Sequence, residues 1–145
     1  MDARPDPLSR TERWPLDGRN GTLALAREHT RGFLLSLPEV SPATTQDALI
    51  LVSELVSNAM RHAPGPCTLQ LTSSADLVTI AVSDTSTSPP QARPADLQAG
   101  GGGFGWHLLQ QLSRRVQVHL DPPNGKTVSA VLALQFPRSQ ETMAG

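Results

Sequence analysis

The sequence has no tyrosine and only one cysteine, Cys67, in 145 residues, and aromatic residues make up 3% of it. Each scarcity closes off a class of function. So few rings leave no platform on which single-stranded bases could stack. One cysteine can build neither a disulfide framework nor a cysteine-rich metal site. Excess charge is missing too. Twelve Lys and Arg stand against thirteen Asp and Glu, for a formal net charge of −1, so nothing in the electrostatics draws the chain directly to nucleic acid or to an anionic membrane. No apolar run approaches the roughly 20 residues of a membrane span. Met1 to Pro15 lacks the apolar stretch of a signal peptide. A cytoplasmic protein without a membrane anchor is therefore expected.

What remains fits one domain with a core: 38% of residues are hydrophobic, and the length suits a single domain. Residues 1–9, with Pro5 and Pro7, read as a flexible leader, 10–137 as the domain and 138–145 as a polar tail. Arg10 to Leu16 reads as an edge strand, because Pro15 cannot donate to a ladder on both sides. Leu23, Ala26, Thr30, Phe33, Leu34 and Leu37 recur at helical spacing up to Pro38. Cys67–Thr72 and Leu77–Asp84 alternate as two strands, with Val78, Ile80 and Val82 on one face. Val116–Leu120 and Thr127–Phe136 make a second hairpin around Asp121-Pro122-Pro123-Asn124-Gly125, and the last strand reads as alternating through Val131 and Phe136. Helices followed by antiparallel hairpins predict an α/β (α+β) two-layer sandwich, with helices on one face of a mixed, largely antiparallel sheet.

The chain is organised around the stretch after Ser41-Pro42, a helix cap followed by proline at the first helical position. Leu49, Val52, Val56, Ala59, Met60 and Ala63 form its core stripe, and Pro64-Gly65-Pro66 ends it. On the other side Glu54 and Asn58 lie one turn apart and point the same way, flanked by Ile50 and Leu51. This pattern has two readings: a polar site in a partly buried wall, or the solvated side of an amphipathic helix together with Asp47 and Arg61.

Two further features bear on the choice. Residues 85–103 hold no periodicity, which in a small domain marks a functional lid or disorder. They end in Gly100-Gly101-Gly102-Gly103, directly before a helical pattern carried by Phe104, Leu108, Leu109 and Leu112. Glycines let a backbone approach a ligand, and the free amides of a helix start bind phosphate. No Gly-Lys-Ser/Thr follows, so this is not a P-loop. Asp84 ends a strand where that loop begins. Its carboxylate either accepts a hydrogen bond from an exocyclic amine or caps a turn.

Taken jointly, these motifs resemble the GHKL (Bergerat-fold) ATPases, the superfamily of gyrases and histidine kinases, over roughly Leu16 to Phe136. Glu54 to Ala63 is similar to the family's N-box, Gly103-Phe104-Gly105-Trp106-His107-Leu108 to its glycine box, Asp84 to its adenine-reading aspartate, and Gly125-Lys126-Thr127-Val128 to its late Gly-Thr segment. The wording Asn58-Ala59-Met60-Arg61-His62-Ala63 most resembles the stand-alone anti-sigma-factor serine kinases of actinobacteria. The resemblance implies ATP and Mg²⁺ as ligands. It makes Glu54 the general base and Asn58 the Mg²⁺ ligand. It places Asp84, Gly103, Gly105, Trp106, Leu108 and Thr127 around the nucleotide, with His62 either on phosphate or closing the helix end. It implies protein partners, a sigma factor and/or a STAS-type antagonist, and allows a homodimer. Two departures stand out. The Asp-x-Gly-x-Gly box reads Asp84-Thr85-Ser86-Thr87-Ser88, and His107 replaces the third glycine of the glycine box. A sequestering module without turnover, or a binding protein that has lost nucleotide, remain the alternatives.

Overall fold

The computed structural model describes residues 9–86 and 102–134, with backbone alone for 102–106. The leader up to residue 8, most of the lid, and the chain from 135 on, including Phe136 and the tail, lie outside the described residues. Three helices, α1 (Thr22–Leu35), α2 (Pro42–His62) and α3 (Gly102–Leu112), lie against strands β1 (Arg10–Leu16), β2 (Cys67–Ser73), β3 (Leu77–Asp84), β4 (Arg115–Asp121) and β5 (Gly125–Ala133). The sheet runs β1-β2-β3-β5-β4. The expected two-layer α/β sandwich is present, and the sheet is antiparallel in every pairing of the described strands. β1 is the edge strand that Pro15 demands.

Burial follows the alternation of a sheet covered on one side. Leu69 and Leu71 of β2, Val78, Ile80 and Val82 of β3, and Val128, Ala130 and Leu132 of β5 face the helices and join the core. On the open side the cross-strand rows are Thr11, Thr72, Thr79 and then Arg13, Gln70, Ala81, Ser129. Thr11 Oγ1 donates to Thr72 Oγ1 at 3.2 Å, and Arg13 Nε to Gln70 Oε1 at 2.9 Å. Small polar side chains line most of that face, Val131 completes the Thr79 row, and among the described residues no helix covers it. The expected alternation named Val131 and Phe136, which differ in parity and so set no phase; the described strand turns Val128, Ala130 and Leu132 to the helices. Val131 is buried but lies on the other face from Val128 and Ala130 and outside the main core.

α2 is the central helix: it packs against α1, α3, β2, β3 and β5. Ser41 Oγ accepts from Thr44 N–H at 3.1 Å and donates to Thr44 Oγ1 at 3.0 Å, so cap and first turn lock together. Contact on three sides widens the buried arc beyond one stripe. Leu51, expected beside Glu54 and Asn58, is instead fully buried in the core along with Leu55. Ile50 is half-buried. α1 docks through Ala26, Thr30, Phe33 and Leu34, and Arg27 Nη1 on it donates to Ser53 Oγ of α2 at 2.7 Å. Among the described residues no helix is long and apolar enough to cross a membrane.

Candidate functional site

Glu54 and Asn58 lie in the second half of α2, both half-buried, and their one-turn spacing points them along the same line. Neither has a hydrogen bond or ion pair with any described residue. A carboxylate and an amide held in a partly buried wall with their polar atoms unspent can take a ligand. His62 is half-buried in the last turn of α2, beside the exposed Arg61, where positive charge meets the negative end of the helix dipole.

α3 packs beside α2. Its pattern was expected from Phe104, yet the helix begins at Gly102. Gly102 and Gly103, expected in the loop, are therefore helical backbone like Gly105 and Trp106, and the free N–H groups of the first turn fall among the glycines. Glycine disfavours a helix, but Leu109 is 1% exposed and ties α3 into the core. Leu108 is half-buried, while His107 is exposed, so the residue in place of the third glycine crowds nothing.

The strand ends supply the other half of the site. Leu16, Cys67, Asp84, Lys126 and Leu120 line up across the sheet on its helix-covered side. Asp84 is buried and both of its oxygens are engaged. Oδ1 accepts the Ser86 N–H at 2.8 Å, and Oδ2 accepts from Lys126 Nζ at 2.7 Å. The side chains of this ion pair are 1% and 0% exposed. Burial, and after it the negative charge of Asp84, push the Cys67 thiol above its ordinary pKa, which keeps it protonated and unreactive. Thr127, assigned to the nucleotide with Asp84, points to the opposite face, where its Oγ1 lies 2.7 Å from Ser83 Oγ. Strand alternation separates the two: Ser83 and Thr127 face outward, Asp84 and Lys126 inward.

The structure thus sets Glu54, Asn58 and His62 along one helix, packs α3 against that helix, and leaves Thr127 on the opposite sheet face. Lys126 is the residue the motif reading passed over. Its signal was in the sequence: 126, 128, 130 and 132 share a strand face, and a lysine in phase with Val128 and Ala130 must be buried and needs a carboxylate.

The fit to the implied ligands differs between the two ends. Among the described residues no group of three or more His, Cys, Asp or Glu could hold a metal. One amide oxygen completed by phosphate oxygens and water is what Mg²⁺ accepts, so Asn58 fits it. The glycines at the start of α3 fit phosphate. The base end does not fit: the Asp84 side chain is 1% exposed and each of its oxygens already accepts a hydrogen bond, so an exocyclic amine has no accessible acceptor there.

Residues 17–132 match the family model described as a histidine kinase-like ATPase domain. No curated protein matches the chain. Among solved structures, the RsbU and RsbW domains of Rv1364c from Mycobacterium tuberculosis match with a TM-score of 0.63 and 18% identity. That alignment covers 88% of this chain and 33% of the other, so the chain spans about a third of that structure's length. At this identity, the shared property is the fold.

Proposed function

Because the chain belongs to the histidine kinase-like ATPase family, we propose that it is an ATP- and Mg²⁺-binding regulator. In this reading it is an anti-sigma factor with serine/threonine kinase activity toward a STAS-type antagonist. The observation that carries the reading is the pair on α2: Glu54 and Asn58 are half-buried, aligned one turn apart, unspent among the described residues, and on the helix against which α3 packs. ATP with its Mg²⁺ supplies the phosphoryl group. Asn58 holds the cation through its side-chain oxygen. Glu54 accepts the proton of the attacking hydroxyl, or orients that hydroxyl. Gly103 and Gly105 leave room for the phosphates at the α3 amides. A sigma factor, the antagonist and a second copy of the chain are the partners this reading implies, in a cytoplasmic setting.

The engaged state of Asp84 favours a second reading, a sequestering module that binds its partner with weakened nucleotide dependence. Glu54→Gln separates the two. It keeps the shape of the side chain and removes the base, so ATP affinity stays while transfer falls by about 10²–10⁴-fold, the usual worth of general-base catalysis. Single-turnover transfer of labelled phosphate to a candidate antagonist, run beside calorimetric ATP binding, measures both. Transfer by Glu54→Gln at the full wild-type rate would place Glu54 on the solvated face. An inactive wild type that still binds partner would favour the sequestering module.

A further inference from the structure

Lys126 has its ammonium wholly inside the protein, 2.7 Å from Asp84 Oδ2 and 0% exposed. Strand register puts it there: Asp84 and Lys126 stand directly opposite in the β3–β5 ladder. Gly125, at φ +143°, presses on the same strand end so closely that a Cβ would lie 1.9 Å from the Asp84 carbonyl oxygen. A slip of one residue would send Lys126 to the open face and Thr127 inward. The contact is thus built into the backbone pairing.

We propose that Lys126 is the specificity-determining residue of the nucleotide site. Its ammonium occupies the carboxylate that would otherwise read the exocyclic amine of adenine. The protein therefore holds nucleoside triphosphates by their Mg²⁺-phosphate end and does not distinguish adenine from guanine. The inference rests on the ATP reading above. Its physical basis is the burial of the pair: each carboxylate oxygen keeps a spare lone pair, but with the Asp84 side chain 1% exposed an amine reaches it only by moving Lys126 aside. The ammonium carries a full charge and is tethered to the strand. The amine of a base is neutral and arrives from solution. Displacing the ammonium would leave a buried cation without a partner, a state proteins avoid. Glu54 and Asn58 lie on α2, and neither bonds to the pair, so variants at Lys126 leave their side chains in place.

The test is calorimetric titration with MgATP and MgGTP. The proteins are wild type, Lys126→Ala, Lys126→Met, Asp84→Asn, Asn58→Ala and the charge-free double variant Asp84→Leu/Lys126→Met. Lys126→Met, which has no donor for Asp84, serves if the alanine variant does not fold, which circular dichroism will show. Wild type should bind the two nucleotides within about threefold of each other. Freeing Asp84 should tighten ATP by about tenfold or more, the scale of one hydrogen bond to a charged acceptor, with GTP unchanged. The double variant, with no acceptor left, should lose that gain. The proposal is overturned if wild type prefers ATP by about tenfold or more and Asp84→Asn abolishes the preference. It is also overturned if neither folded Lys126 variant gains ATP affinity. In those cases, Mg²⁺-dependent triphosphate binding that vanishes in Asn58→Ala leaves the ATP reading standing. Absence of triphosphate binding in every protein brings down both.

Discussion

Taking away one partner of the Asp84–Lys126 pair leaves a charge buried and uncompensated, a loss that typically costs about 3–5 kcal/mol, whereas replacing both by apolar side chains is often neutral. Gly125 is the backbone counterpart of that pair. It sits at φ +143°, and an added Cβ would fall 1.9 Å from the Asp84 carbonyl oxygen. Gly125→Ala should therefore destabilise the domain by roughly 2–4 kcal/mol, combining a strained dihedral with a backbone clash; urea unfolding measures it. A loss under about 0.5 kcal/mol would mean that the close approach of β5 to Asp84 does not set the register. At this scale the sequence was only partly legible. Asp84 stood out as a strand-end carboxylate, but its ownership by Lys126 depends on strand parity, and an apolar residue on each face of β5, Val128 and Val131, hides that parity. Thr127 was placed near the nucleotide by the resemblance alone, which carries no strand parity.

Helix α2 shows why elements were easier to read than side-chain directions. Ser41 before Pro42 and the Pro64-Gly65-Pro66 stop are local chemistry, and the helix runs between them from Pro42 to His62. Ser41→Ala removes the acceptor for the Thr44 N–H and the donor to Thr44 Oγ1, so it should cost about 1–2 kcal/mol. Chemical denaturation should show that loss with an unchanged m-value, and Ser41→Asp should recover most of it. A silent Ser41→Ala would mean that packing alone sets the helix start. Periodicity located the core stripe of α2 but not its width. Leu51 and Leu55 are buried because α1 and α3 press from the sides as well as the sheet from below, and neighbours distant in sequence leave no mark on local spacing. For α3, the glycines argued for a loop up to residue 103. Tertiary anchoring at Leu109 overrode propensity and began the helix at Gly102.

Across the whole molecule, one layer of helices covers one face of the sheet, and the strand ends carrying Asp84 and Lys126 open on that covered side. Leu120 shares their row yet is 40% exposed, and Val118, also on that face, is 38% exposed, so among the described residues the helix layer covers β4 only toward its start, where Val116 packs against the core. The same architecture leaves Glu54 and Asn58 half-buried on α2, which the proposed reading takes as a site wall. Binding at such a place links two layers, so a ligand held there should raise the stability of the whole domain by mass action. The central claim is that Asn58 and phosphate together hold Mg²⁺. Calorimetric titration of ATP into wild type and Asn58→Ala, each with Mg²⁺ and with EDTA, tests it most directly. Wild type should bind ATP with Mg²⁺ and lose most of that affinity in EDTA, whereas Asn58→Ala should be weak in both and insensitive to the metal. Equal affinities of the two proteins in Mg²⁺, or a wild type indifferent to the cation, would contradict the account.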